Sequence, residues 1–179
     1  MLTPEQEQWL DSLSDRLVTI VPYDPQSEEL FKIVKEKIVA VLGNEVKVEH
    51  SGSTLFHMPG QDEIDVAIVA DKEMFSQYIE KLEPVFGPVR SLYPDRARFE
   101  VKEQGKKIDL KLVDRHHPNY IEGKLLDDYI MSHPEALERY RILKEESDGL
   151  TNKEYYRRKL LFNNDILAKA KSRGEITHI

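Results

Sequence analysis

The 179-residue chain contains no cysteine. Disulfides, thiolate zinc sites and a cysteine nucleophile are thereby excluded, and the composition accords with a reducing compartment. Long apolar runs are missing too. None approaches the roughly 18 residues that span a bilayer, and "MLTPEQEQWLDSL" is acidic and polar where a secretory signal would be basic and then apolar. A cytoplasmic protein with no membrane partner is the expectation. An excess of positive charge is likewise absent: 26 Lys and Arg stand against 33 Asp and Glu, a net charge of −7, which argues against nonspecific DNA binding through a basic surface.

What remains is the composition of an ordinary globule, 40% hydrophobic and 33% charged, long enough for one domain with a sizeable core. The charge is unevenly spread. Residues 151–174 carry Lys153, Arg157, Arg158, Lys159, Lys169, Lys171 and Arg173 against Glu154 and Asp165, so this segment is +5 and the rest is −12. Such a helix can present a solvated face, grip a phosphate ligand, or lie against an acidic surface of its own protein.

Thr3-Pro4-Glu5-Gln6 is a capping box that opens a helix running to about Leu17. Trp9 is placed in the core. "LVTIVPYD" reads as an edge strand ended by Pro22. A second helix follows Asp24-Pro25, with Leu30, Phe31, Val34, Ile38 and Val41 at helical spacing until Gly43-Asn44. "EVKVEH" is a strand leading into Gly52-Ser53. Ile64, Val66 and Ile68 alternate with Glu63, Asp65 and Ala67, a strand with its acids away from the core. Asp71 is expected to cap a third helix to about Leu82, and "RARFEVKEQGKKIDLKLV" to form a hairpin about Gln104-Gly105. From Asn119 onward the chain reads as helical, the last helix opened by Thr151-Asn152-Lys153-Glu154. The predicted class is α/β in the α+β sense: a mixed sheet with flanking helices over residues 1–118, then a helical half over 119–179 packed on it.

Glu63 and Asp65 share one strand face, and a neighbouring strand bearing Asp109 would add a third carboxylate. Such acids repel by roughly 4 kcal/mol per pair at 4 Å for an effective dielectric near 20. Magnesium, a hard cation that takes one or two carboxylates together with substrate phosphates, is the expected counterweight. Gly52 lets backbone amides approach a phosphate and Ser53 adds a hydroxyl. An acid pair on a solvated strand with an ordinary Gly-Ser turn is the alternative. Lys111 either meets a phosphate or pairs across strands with an acid, and Lys159 either neutralises a triphosphate or forms a salt bridge. His57 is a loop histidine, and the adjacent His116-His117 lack zinc-like spacing.

Gly52-Ser53, nine residues, then Glu63-Ile64-Asp65-Val66 resembles the signature of the nucleotidyltransferase superfamily with a DNA polymerase beta-like minimal fold, in which a third acid, here Asp109, lies on a later strand. More closely, "VPYDP" at 21–25, "EHSGST" at 49–54, Pro59-Gly60, Ile64-Asp65, "DDYIMSHPEALERYRILK" at 127–144 and "YYRRKLLFNNDILAKA" at 155–170 resemble the GrpB family of small bacterial proteins. Asp128, His133, Pro134, Tyr140, Lys144, Tyr155, Lys159 and Phe162 fall at matching positions. Gln61, Asp62 and Glu63 depart from the family pattern, which has small residues and then Lys-Pro.

The resemblance implies magnesium-dependent transfer of a nucleotidyl group from a nucleoside triphosphate to an unknown acceptor. Glu63, Asp65 and Asp109 would hold metal, Asp109 alternatively acting as base, with Gly52, Ser53, Lys111 and Lys159 on the substrate. A noncatalytic relative that binds a nucleotide or a protein partner is the competing reading, and an antitoxin or drug-modifying enzyme a third.

Overall fold

The computed structural model describes residues 1–172, so Arg173 of the basic segment lies outside the described residues. The chain divides into two compact units, described separately. The sheet unit comprises Tyr23–Met58 and Asp62–Ile121; the helical unit comprises Met1–Pro22, Pro59–Gln61 and the chain from Glu122 onward.

The sheet unit contains helix α2 (Gln26–Leu42), strand β1 (Lys47–Ser51), the single-turn helix α3 (Gly52–Leu55), β2 (Glu63–Ala70), α4 (Phe75–Phe86), β3 (Ser91–Leu92), β4 (Arg96–Glu103) and β5 (Lys106–Asp114). The strand order is β1-β2-β5-β4-β3. β2 and β5 run parallel, and the other pairs are antiparallel. Strand alternation divides the sheet into two faces. Ile64, Val66 and Ile68 of β2, Ile108, Leu110 and Leu112 of β5, and Ala97 and Phe99 of β4 form one core with Leu30, Val34 and Ile38 of α2 and Phe75, Leu82 and Phe86 of α4. The intervening positions carry the charges, with Ala67, Val69 and Val113 among them at one end.

Gly43 ends α2 where a positive φ of 98° is needed, its amide returning to the Val39 carbonyl. The hairpin is as predicted: Gln104 and Gly105, both at positive φ, make the two-residue turn between β4 and β5. The start of α4 differs. Asp71 makes no side-chain cap; a 3₁₀ turn over Lys72–Met74 intervenes, and α4 begins at Phe75.

In the helical unit α1 (Pro4–Asp11) opens on the predicted capping box, in which the Gln6 amide donates to Thr3 Oγ1 and the Thr3 amide to Gln6 Oε1. It stops at Asp11, well short of Leu17. The predicted edge strand is not formed: its residues make only single bridges, Leu17 with Thr151 and Val21 with Gly60, because their amides and carbonyls bond to loops and Pro22 supplies no donor. Trp9 is 43% exposed, edge-on to Tyr156, while Leu10 takes the buried position. Helix α5 (Pro118–Ser132), whose first turn is counted with the sheet unit, α6 (Pro134–Glu145) and α7 (Asn152–Ser172) follow. Thr151 Oγ1 accepts from the Glu154 amide, as its capping role requires.

The basic character of α7 is met largely by acids of this same unit. Arg157 forks onto both carboxylate oxygens of Glu7, at 2.9 and 2.8 Å, and Lys153 donates to Asp11 at 2.7 Å, so α7 is zipped to α1. Arg158, Lys169 and Lys171 pair with Glu154, Asp165 and Glu122. Arg157, Lys153 and Lys171 thus meet acids outside α7, while Arg158 and Lys169 pair along its own exposed face.

Candidate functional site

β2 and β5 bring Asp65 and Asp109 directly opposite each other, and the same register aligns Glu63 with Lys107 and Ala67 with Lys111. β4 adds Arg98 opposite Lys111. All these side chains occupy the charged face by alternation, so the strands interleave acids with bases.

The Lys111 ammonium stands between the central carboxylates, 2.6 Å from Asp65 Oδ1 and 3.0 Å from Asp109 Oδ2. Arg98 approaches Asp109 as a fork, Nε donating to Oδ1 at 3.2 Å and Nη2 to Oδ2 at 2.8 Å. Lys107 holds Glu63 at 2.8 Å. Asp109 is the most enclosed, with 8% of its side chain exposed against 26% for Lys111.

Burial alone would lower the Lys111 pKa, but the negative charges of Asp65 and Asp109 and the bonds to them outweigh it, and the ammonium is held above its ordinary range. Arg98 is raised in the same way against burial, chiefly by Asp109. Lys107 is raised foremost by its bond to Glu63.

The repulsion among the acids is therefore offset by three basic side chains of the sheet itself. Glu63 turns to Lys107 and does not join the central pair's shared cation. Among the described residues, no group of three or more His, Cys, Asp or Glu is placed to hold a metal ion. Two carboxylate oxygens aimed at one point remain a hard-oxygen donor set that suits magnesium. The ammonium of Lys111 occupies that point.

Gly52 backs Asp65. Its φ is +73°, and a Cβ built there would lie 2.2 Å from Asp65 Oδ2, so both conformation and space demand glycine. The space a side chain would take at Gly52 is thus filled by the Asp65 carboxylate. Ser53 is buried beneath the turn, its carbonyl accepting from the Phe56 and Met58 amides.

His50 faces the core side of β1, stacked on Phe31 with centroids 4.6 Å apart and with Nε2 2.8 Å from Thr54 Oγ1. Burial pushes its pKa down despite attraction to Asp65 and Glu28. His57 stacks on Tyr23 and lies 2.6 Å from Glu28. His116 is 3.2 Å from Asp71, and His117 Nδ1 accepts from the Asn119 amide. Sequence reasoning missed Arg98 and Lys107; of its two readings of Lys111, pairing across strands with an acid is the one observed. The alternation of "RARFEV" and "KKIDLKL" places these bases on one face, a signal that could have found them.

The GrpB family model matches residues 17–169. The chain belongs to the GrpB family. Its fold is similar to that of the conserved protein GrpB from Enterococcus faecalis, with a TM-score of 0.68 and 16% identity over 84% of this chain and 98% of that one. A slighter likeness, TM-score 0.37 and 22% identity over 52% of this chain and 34% of the other, is to the STING-associated CdnE c-di-GMP synthase from Capnocytophaga granulosa. At that score it establishes neither fold nor function. A search of curated proteins found no match.

Several of the GrpB-like positions build the interior of the helical unit. Tyr140 stacks on Phe162 at 5.0 Å, and the buried Lys144 donates to the Tyr155 hydroxyl at 2.6 Å with its ammonium 5.2 Å from the centres of both tyrosine rings. His133 stacks on Tyr129 at 3.8 Å, and Pro134 opens α6. Asp128 lies 3.1 Å from Lys124. Lys159 is in this unit too, its ammonium 5.9 Å from the Tyr156 ring centre.

Proposed function

We propose that this GrpB-family chain binds a nucleoside triphosphate with magnesium on the charged face of its sheet and transfers the nucleotidyl group to an acceptor. The observation that carries this reading is the convergence of Asp65 and Asp109, paired in register on parallel strands, on a single cation position. Asp65 and Asp109 would hold magnesium, which when bound supplies charge neutralisation and in-line alignment of the transferred phosphoryl group. Arg98 keeps Asp109 in a fixed orientation, and Gly52 braces Asp65. Lys111 and Lys107 supply the positive charge for phosphate oxygens. Both oxygens of Asp109 already accept hydrogen bonds from Arg98, so its role is to hold charge rather than to take a proton from the acceptor. The proposed site is built wholly from the sheet unit and does not call on Lys159.

A noncatalytic nucleotide-binding role is the second reading, favoured by the fact that Glu63, Asp65 and Asp109 each already have a cationic partner. Thermal melting with each nucleoside triphosphate, with and without magnesium, separates the two. Stabilisation that needs both components and is lost in Asp65→Asn supports the transferase reading. Metal-independent stabilisation supports the second reading, and no response to any triphosphate overturns both.

A further inference from the structure

The charged face is balanced before any ligand arrives. Glu63, Asp65 and Asp109 are matched by Lys107, Lys111 and Arg98, each within 3.0 Å of a carboxylate oxygen. A divalent cation entering alone must evict the Lys111 ammonium from between Asp65 and Asp109, leaving that ammonium unpaired beside new positive charge. A triphosphate entering alone brings its negative charge up to three carboxylates, and any lysine that turns toward it abandons an acid. When both enter, the partners exchange: the carboxylates take the metal, and the released ammonium takes a phosphate oxygen. Every charge then keeps a partner. Lys111 is suited to this exchange because its charge is a compact ammonium on a flexible four-carbon stem, whereas Arg98, forked onto Asp109, stays in place.

We infer that Lys111 is a resident counter-cation whose displacement makes the metal and the polyphosphate bind as a mutually dependent pair. This rests on the reading of the face as a magnesium triphosphate site and adds how that site admits its ligands. The dependence is reciprocal: whatever factor the polyphosphate adds to metal affinity, the metal adds to polyphosphate affinity. The two short contacts of Lys111 to the carboxylates and its limited exposure accord with an ammonium held firmly until something replaces it.

Direct binding to the full chain tests the inference without any turnover. Manganese, followed by loss of its free paramagnetic signal, and inorganic tripolyphosphate, followed by calorimetry, serve as probes that need no choice of base. In the wild type, at free probe concentrations corrected for the manganese–tripolyphosphate complex formed without protein, each probe should bind at least about tenfold more tightly when the other is present, the reciprocal factors being equal. In Lys111→Met manganese alone should bind at least about tenfold more tightly than to the wild type, with tripolyphosphate adding much less. Lys111→Gln is the second variant should the first not fold, circular dichroism reporting the fold of both.

Independent binding of the two probes to the wild type overturns the inference whatever the variants do. So does manganese binding that neither Lys111 substitution improves. If the pair binds jointly but Lys111 does not control it, the magnesium triphosphate reading stands and only the exchange fails. If the Lys111 variants gain manganese while no polyphosphate or nucleoside triphosphate binds any form, the paired binding and the nucleotidyl reading both fail, and Lys111 is left only as a competitor of the metal.

Discussion

Two glycines at positive φ separate local strain from site geometry. Gly105 faces open space, so Gly105→Ala should cost only the left-handed backbone penalty, about 1–2 kcal/mol. Gly52→Ala carries the same penalty and also drives a methyl into the Asp65 carboxylate, so urea unfolding should show a larger loss, about 3 kcal/mol or more. A Gly52→Ala protein no less stable than Gly105→Ala would mean that Asp65 yields freely and is not braced. His50 offers a pH test. Its folded pKa lies below its ordinary value near 6.5, so the unfolded chain binds the extra proton first. The stability this contributes is complete above pH 6.5 and is lost as pH falls from there through the folded pKa. His50→Gln should be less stable throughout, having lost the Phe31 stack, but its melting temperature should no longer slope over that interval. An unchanged slope would assign the pH dependence to another group. Of the charged face, the placing of Asp65 and Asp109 side by side was legible because strand alternation is a periodic, local signal, whereas Gly52 was expected to admit a phosphate and its packing against Asp65 was not foreseen. The use of Lys111 was not legible, since whether a lysine meets an acid or a phosphate is decided by the neighbouring strand's register.

Among the elements, α2 has a correctable flaw. Ser27 is fully buried in its first turn, and its hydroxyl has no hydrogen-bond partner. Ser27→Ala removes an unsatisfied polar group and improves helix propensity, so stability to urea should rise by about 1 kcal/mol; a loss would show that a water completes the hydroxyl. Elements with strong period and clear punctuation were readable in advance: α2 between Pro25 and Gly43, β2 with its alternating acids, and the β4–β5 hairpin about Gln104-Gly105. The failures lie where local pattern met a tertiary partner. "LVTIVPYD" has the composition of a strand, yet its backbone bonds go to Gly149, Leu150 and Gly60, far away in sequence. Trp9 looked like core because it is large and apolar, but helix phase buries Leu10 instead.

At the scale of the whole molecule, acid should be the destabilising direction. Arg157 holds the Glu7 carboxyl, and Lys169 and then Arg139 hold that of Asp165, below the ordinary carboxylate range. Burial opposes the same shift at Asp95, but Asn119 and Arg96 prevail. Groups depressed in this way contribute stability above their unfolded values near 4, and it disappears as pH drops through the folded ones. A second decline in melting temperature is therefore expected below about pH 4, distinct from the His50 step; a flat profile there would mean these pairs are equally formed in the unfolded chain.

Order of synthesis gives the α1–α7 zipper a further meaning. The acids that receive Arg157 and Lys153 emerge from the ribosome 150 and 142 residues before them, at roughly 5–20 residues per second. For many seconds the α1 acids lack their α7 partners, while the sheet, whose last strand ends at Asp114, already has all its chain. Nascent chains halted before α7 should accordingly leave the first helix open to protease.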